Sequence, residues 1–265
     1  LANTGIADLA GNAGTGTTDS ANYSIDTVLP TATIVVGDTA LKAGETAPVT
    51  ITFSEAVSGF TLADLSVANG VLSNLGSSDG GVTWTATLTP TANVTDPSNL
   101  ITLDNSGVQT AAGNAGSGST DSNNYAIDTQ RPTATISVAN GNLGIGQTTT
   151  VTIGFSEAVS GFDLSDLSVA NGVLSNLASN DGGKTWTATL TPTAAITDAT
   201  NLIVLDASQV SDAAGNAGSG IAISNNYAVN TSALTGDPLF RVTDPAPPPG
   251  APDVPLQPIV FGRPV

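Results

Sequence analysis

Along most of the chain, polar and apolar residues alternate in runs of about five to nine, the two-residue period of a strand with one buried face. "VTWTATLTP" (82–90) sets Thr against Trp84, Ala86 and Leu88 without a break. "TATIVV" (31–36), "APVTITF" (47–53), "NLITLDNSGV" (99–108) and "NNYAIDT" (123–129) read the same way. Turn signals separate them: "DGG" (79–81), and Asn69-Gly70 inside "DLSVANGVLSNL" (64–75), which predicts a hairpin folded at that dipeptide. No stretch repeats at the helical period, so helix is expected to be nearly absent.

The pattern is written more than once. Residues 30–129 align with 132–231 without a gap, at about 70 identities in 100 positions. Residues 1–27 align with 103–129, so they are expected to be the C-terminal strands of a truncated preceding repeat, in an excerpt from a longer protein. Seven or eight short antiparallel strands per unit suit an immunoglobulin-like sandwich. The expected fold is all-β: tandem immunoglobulin-like antiparallel β-sandwiches, arranged as beads on a string. The domains are then 1–27 as the partial repeat, 30–129 as repeat 1, 132–231 as repeat 2 and 232–265 as a Pro-rich tail. Trp84 and Trp186 hold equivalent strand positions and read as core. Tyr23, Tyr125 and Tyr227 read as packing near the domain end, with sugar stacking as the alternative.

Composition removes several functions. Five basic residues face 22 acidic ones, for a net charge of −17, which disfavours nucleic acid and anionic membrane surfaces. With no His and no Cys there is no Ser/His/Asp triad, thiolate site or usual zinc ligand, so the chain is not read as an enzyme. Lys42 and Lys184 fall in no catalytic motif, and Lys42 aligns with Gly144. No run approaches the ~20 apolar residues that would insert in a membrane.

"TFSEAVSGF" (52–60), "AAGN" (111–114 and 213–216) and the "IDTxxP" joins (25–30 and 127–132) resemble the bacterial Ig-like (BIg) repeats of giant secreted surface adhesins. The resemblance covers 1–231. It implies an extracellular stalk on the bacterial cell surface, as in biofilm adhesins, with calcium at the repeat junctions. The tail does not match, and no glycine-aspartate nonapeptide repeat is present.

Strand directions give the acids a place. "FSEAV", "SSDGG" and the AGNAG loop all fall at the N-terminal pole of a unit, facing the exit of the unit before. This brings Glu55, Asp79 and Asn114 toward Asp26, and Glu157, Asp181, Asp212 and Asn216 toward Asp128. Converging carboxylates repel unless a cation neutralises them. Calcium, which takes six to eight hard oxygens in loose geometry, is the expected cofactor. The alternative is that Asp and Asn here are turn residues only. The AGN loop opens with Asp8, Thr110 or Asp212 at intervals of 102 residues, so the junction before repeat 2 is expected to hold calcium more tightly. Before the tail, the linker acid becomes Asn230. Asp64/Asp166 also recur, Asp96/Asp198 recur as turn residues in the "TDPSN" and "TDATN" loops of the opposite pole, and Asp104/Asp206 interrupt a strand as a bulge would.

Nine of the 15 prolines lie in 232–265, so the tail reads as an extended spacer whose end, "LQPIVFGRPV", either docks or tethers. The sequence reading is a structural stalk or spacer of an adhesin or surface fibre, rigidified by calcium. Its partners would be neighbouring repeats of the same chain and identical subunits in a fibre. The other reading is a carbohydrate- or ice-binding adhesion module carried by the Thr rows.

Overall fold

The computed structural model describes residues 1–233. Expectations about the tail beyond them lie outside the described residues. Two β-sandwich units stand in tandem. Unit 1 has the strands β1 (Ala32–Val36), β2 (Ala40–Lys42), β3 (Ala47–Phe53), β4 (Val57–Ser58), β5 (Leu65–Val67) and β6 (Gly70–Ser77). They are followed by β7 (Thr83–Pro90), β8 (Thr95–Asn99), β9 (Ile101–Asp104), β10 (Gln109–Thr110), β11 (Ser119–Asp121) and β12 (Tyr125–Asp128). One layer is an antiparallel sheet in the order β1-β3-β7-β6. The other holds β5-β9-β11 and β2-β12-β8, with β2 parallel to β12. Unit 2 repeats both layers from Ala134 to Asn230, and its β4–β10 pair shrinks to a bridge between Ser160 and Ser211. Among the described residues the only helical elements are single 3-10 turns.

The alternation seen in sequence is the alternation of burial. In β3, Ala47, Val49, Ile51 and Phe53 are buried while Pro48 and Thr52 face water. Each fully buried aliphatic side chain contributes about 1.5–3 kcal/mol. The two cores are separate: one runs from Ile34 to Ile127, the other from Ile136 to Val229. Trp84 is half-buried, packs edge-on against Phe60 at 5.2 Å and donates from Nε1 to the Gly81 carbonyl at 3.1 Å. Tyr125 and Tyr227 are fully buried, which removes them from sugar stacking. The Tyr125 hydroxyl donates to the Ala68 carbonyl at 2.6 Å, and burial pushes its pKa up to about 12.

Four expectations need correction. The Asn69-Gly70 turn does not close a hairpin: β5 joins β9 in one layer and β6 joins β7 in the other. Asn69 instead crosses between layers, at φ 50°, with Nδ2 donating to Asp96 (2.9 Å) and Asn99 (2.8 Å). Glycine suits position 70 because a Cβ would stand 2.7 Å from Leu88 Cδ1 and 3.1 Å from the Thr89 carbonyl oxygen. The chain still reverses, so the predicted poles stand. Second, the "TDPSN" stretch expected as a loop is strand β8. Third, Asp104 and Asp206 make no bulge; each accepts from a serine amide two residues on, capping a 3-10 turn. Fourth, residues 1–27 form no strand, only isolated bridges at Ala2–Thr17 and Ala7–Ala13. In unit 1 the corresponding β12 pairs with β2 and β8, whereas Tyr23 is 76% exposed.

Candidate metal centre at the junction between units

β12 ends at Asp128, held between β2 and β8, where the Thr95 hydroxyl donates to Asp128 Oδ1 at 2.9 Å. The chain then passes into unit 2, whose "FSEAV" and AGN loops cap the facing pole. Carboxylate oxygens of Asp128, Glu157 and Asp212 lie within 4.8 Å of one another. Asp212 is 5% exposed. Glu157 Oε1 is buried and has no hydrogen-bond partner. Burial first, and then the charges of Asp212 and Asp128, raise the Glu157 pKa above its usual value, against a smaller opposing effect of Lys184. A carboxylate held this way is destabilised unless it meets a cation.

The other sequence candidates are placed differently. Asp79 caps its own turn, accepting from the Thr83 amide at 2.8 Å, Ser77 Oγ at 2.9 Å and the Val82 amide at 3.2 Å. These bonds, the Thr83 amide foremost, hold its pKa at about 2. Asp181 does the same with Thr185, Ser179 and Lys184, also at about 2. Neither belongs to the three-carboxylate cluster. Asn216 uses its amide as a bridge. Nδ2 donates to the Asp128 carbonyl (2.8 Å) and to Asp212 Oδ2 (2.8 Å), while Oδ1 accepts from the Ala43 amide (2.7 Å). Asn114 makes the corresponding bond to the Asp26 carbonyl at 3.1 Å. At that first junction, Asp26 and Glu55 have Thr110 as the third residue, and Asp26 Oδ1 accepts from the Val28 amide at 3.1 Å.

Sequence reasoning missed the contribution of the 42–45 turn. Besides the Ala43 amide, Lys42 reaches over Gly215, its Nζ 3.5 Å from where a Cβ on that glycine would stand, and pairs with Glu45 at 3.4 Å. Arg131 Nη1 donates to the Ala217 carbonyl at 3.0 Å, and the Ser219 amide donates to the Pro132 carbonyl at 2.9 Å. The signal was present: Lys42 and Glu45 become Gly144 and Gln147 in the other copy.

The donors are oxygen only, on one strand end and two loops from two units, which suits a hard divalent cation better than zinc. Fold and junction together define a tandem immunoglobulin-like β-sandwich protein. The chain belongs to the bacterial Ig-like domain family, which matches residues 26–127 and 128–229 as two copies. No curated protein matches the chain. Among solved structures it is similar to the Escherichia coli adhesin FdeC, at 16% identity and TM-score 0.36, over 75% of this chain and 62% of that one. It is similar to the Yersinia pseudotuberculosis adhesin InvE at 16% identity and TM-score 0.29, over 75% and 58% of the two chains. Tandem Ig repeats of Dlar align at 12% identity and TM-score 0.23, over 76% of this chain and 97% of theirs. The match spans less than two thirds of each adhesin chain. No helix among the described residues is long and apolar enough to cross a membrane.

Proposed function

We propose that this chain is a stalk segment of a bacterial surface adhesin, whose joint between units is stiffened by a calcium ion held by Asp128, Glu157 and Asp212. It would act outside the cell as a spacer rather than as an enzyme. The observation that carries the cation is the meeting of three carboxylates from two units within 4.8 Å, one oxygen of which is buried without a partner. The rest of the shell would come from backbone carbonyls and water, as calcium's six to eight oxygens require. An ion bound across the joint links the exit strand of one unit to two loops of the next, so it opposes bending at the linker.

The test is small-angle scattering and thermal unfolding with calcium and with chelator. Calcium is expected to give a longer, narrower particle and a higher melting temperature. Calorimetry is expected to count one strong site per chain. No response in shape, stability or heat would remove calcium from the account. The carbohydrate or ice reading rests on Thr83 and Thr85 of β7, which stand opposite Thr52 and Thr50 of β3. No aromatic ring stands on that sheet face for a sugar to stack on, so the spacer reading is preferred.

A further inference from the structure

Two near-identical units in one chain serve as controls for each other. The exit pole of unit 1 carries Asp38, Lys42, Glu45 and Asp128, and the same places in unit 2 hold Asn140, Gly144, Gln147 and Asn230. Four charged groups become none, yet the hydrogen bonds persist. The Ala40 amide donates to Asp38 Oδ1 at 3.0 Å, and the Asn142 amide to Asn140 Oδ1 at 3.0 Å. The Lys42 amide donates to Glu45 Oε2 at 3.1 Å, and the Gly144 amide to Gln147 Oε1 at 2.8 Å. Thr95 donates to Asp128 at 2.9 Å, and Thr197 to Asn230 at 3.3 Å. Amides therefore fill the folding role of these acids, and the charged set is not needed to build the pole.

What distinguishes the unit 1 pole is the loop seated on it. The Ala43 amide and the Asp128 carbonyl grip opposite ends of the Asn216 side-chain amide. Lys42 lies across Gly215. Ala213 and Ala214 close a hollow of about 490 Å³ otherwise lined by residues such as Leu41, Pro97 and Ile127. In unit 2 the place of Ala43 is taken by Ile145, 67% exposed, and no lysine stands beside it.

We propose that the exit pole of unit 1 is a receptor for the Ala-Gly-Asn loop of the following unit, that it grips this loop without any cation, and that the small Ala43 and the overlying Lys42, replaced in unit 2 by Ile145 and Gly144, are what let its main-chain groups reach the loop. The grip is direct: one side-chain amide satisfies a donor and an acceptor on the preceding unit, neither of which involves a carboxylate. The ion site and this receptor are then two separate fastenings on one joint.

The chain has no cysteine, so Val71→Cys and Val173→Cys, both at 67% exposed positions, give one spin label per unit. Distances between the labels are measured in the full chain in chelator, where no ion contributes. The unexchanged joint is expected to give a narrow distribution. Asp38→Asn, Lys42→Gly, Ala43→Ile and Glu45→Gln together install the unit 2 residues while leaving Asp128 in place. They are expected to broaden the distribution at least twofold without changing the melting temperature of unit 1. Asn216→Ala is expected to broaden it as well. A distribution equally narrow in both variants, or already as broad in the unexchanged joint, overturns the receptor. Because no calcium is present, neither outcome bears on the ion site.

Discussion

Glu157→Gln is expected to change the stability of unit 2 in opposite directions with and without calcium. In chelator, Glu157 faces two carboxylates at no more than 4.8 Å. Each such pair costs about 0.9 kcal/mol at the dielectric constant of water and about 3.5 kcal/mol at an effective value of 20. The site is partly open to solvent and Lys184 offsets some of the repulsion, so the lower figure applies. Removing two pairs should then stabilise the calcium-free protein by about 1–2 kcal/mol, and each kcal/mol raises the melting temperature of a hundred-residue domain by about 4–8 °C. Gln also keeps the volume of Glu, so packing is little disturbed.

With calcium the order reverses. An ion present at a hundred times its dissociation constant stabilises the protein that binds it by about 2.7 kcal/mol. The variant, with one of three charged ligands gone, should lose most of that gain. Each unit has one tryptophan, so fluorescence of Trp186 in a Trp84→Phe background reports unit 2 alone. Urea titrations with chelator and with calcium give the four stabilities required. If Glu157→Gln is destabilising in chelator, the carboxylates are not in conflict there. The reasoning from the unpartnered Oε1 then fails, and with it the ion site.

Three other outcomes are expected. Thr110→Asp completes the acid triplet at the first junction, where Asp26 and Glu55 already stand, and calorimetry should then count two calcium ions per chain against the one expected of the unaltered chain. Asp181 is held at about 2 in the folded protein against an ordinary 3.8; its folded pKa is the lower of the two, so its stabilisation is complete above 3.8 and is lost as pH falls toward 2, and acid titration of Asp181→Asn should show a shallower loss in that window. Tyr227→Phe removes the hydroxyl that donates to the Ala170 carbonyl, leaving an acceptor without its partner at a cost of about 1–3 kcal/mol, read as a lower urea midpoint for unit 2 with unit 1 unchanged.

The strands and the repeat were legible because both are local: Thr-apolar alternation marks a half-buried strand wherever it pairs. The pairing itself was not. "VANGV" reads identically as a hairpin and as a crossing between layers, and the choice is made by β9 and β7, about thirty and fifteen residues further on. The poles survived this error because both alternatives reverse the chain. Asp128, Glu157 and Asp212 were therefore brought together from sequence alone, while Asp79 and Asp181 were not separable from them. A carboxylate in "DGG" looks the same whether it faces an ion or its own turn, and only the three donors around it decide. Asn216 illustrates the same limit, since an asparagine can be ligand, turn former or donor, and its three partners lie on three different segments.

The leading letter of the AGN loop can now be assigned two separable tasks. Asp8 accepts from the Asn12 amide at 2.9 Å, Asp212 from the Asn216 amide at 2.8 Å, and Thr110 offers Oγ1 to the Asn114 amide at 3.2 Å. Closing the loop therefore needs an acceptor and not a charge, which is why a hydroxyl serves in the middle copy. Asp8 and Asp212 go further, and their second oxygen holds the Asn side chain at 2.8 Å. In the Asp8 copy that amide turns back onto its own loop. In the Asp212 copy it also reaches the preceding unit, and there alone does the carboxylate stand beside both Glu157 and a linker acid. The negative charge meets other acids only where two units meet, and under the proposed function what it would add to the joint is the ion rather than the shape of the loop.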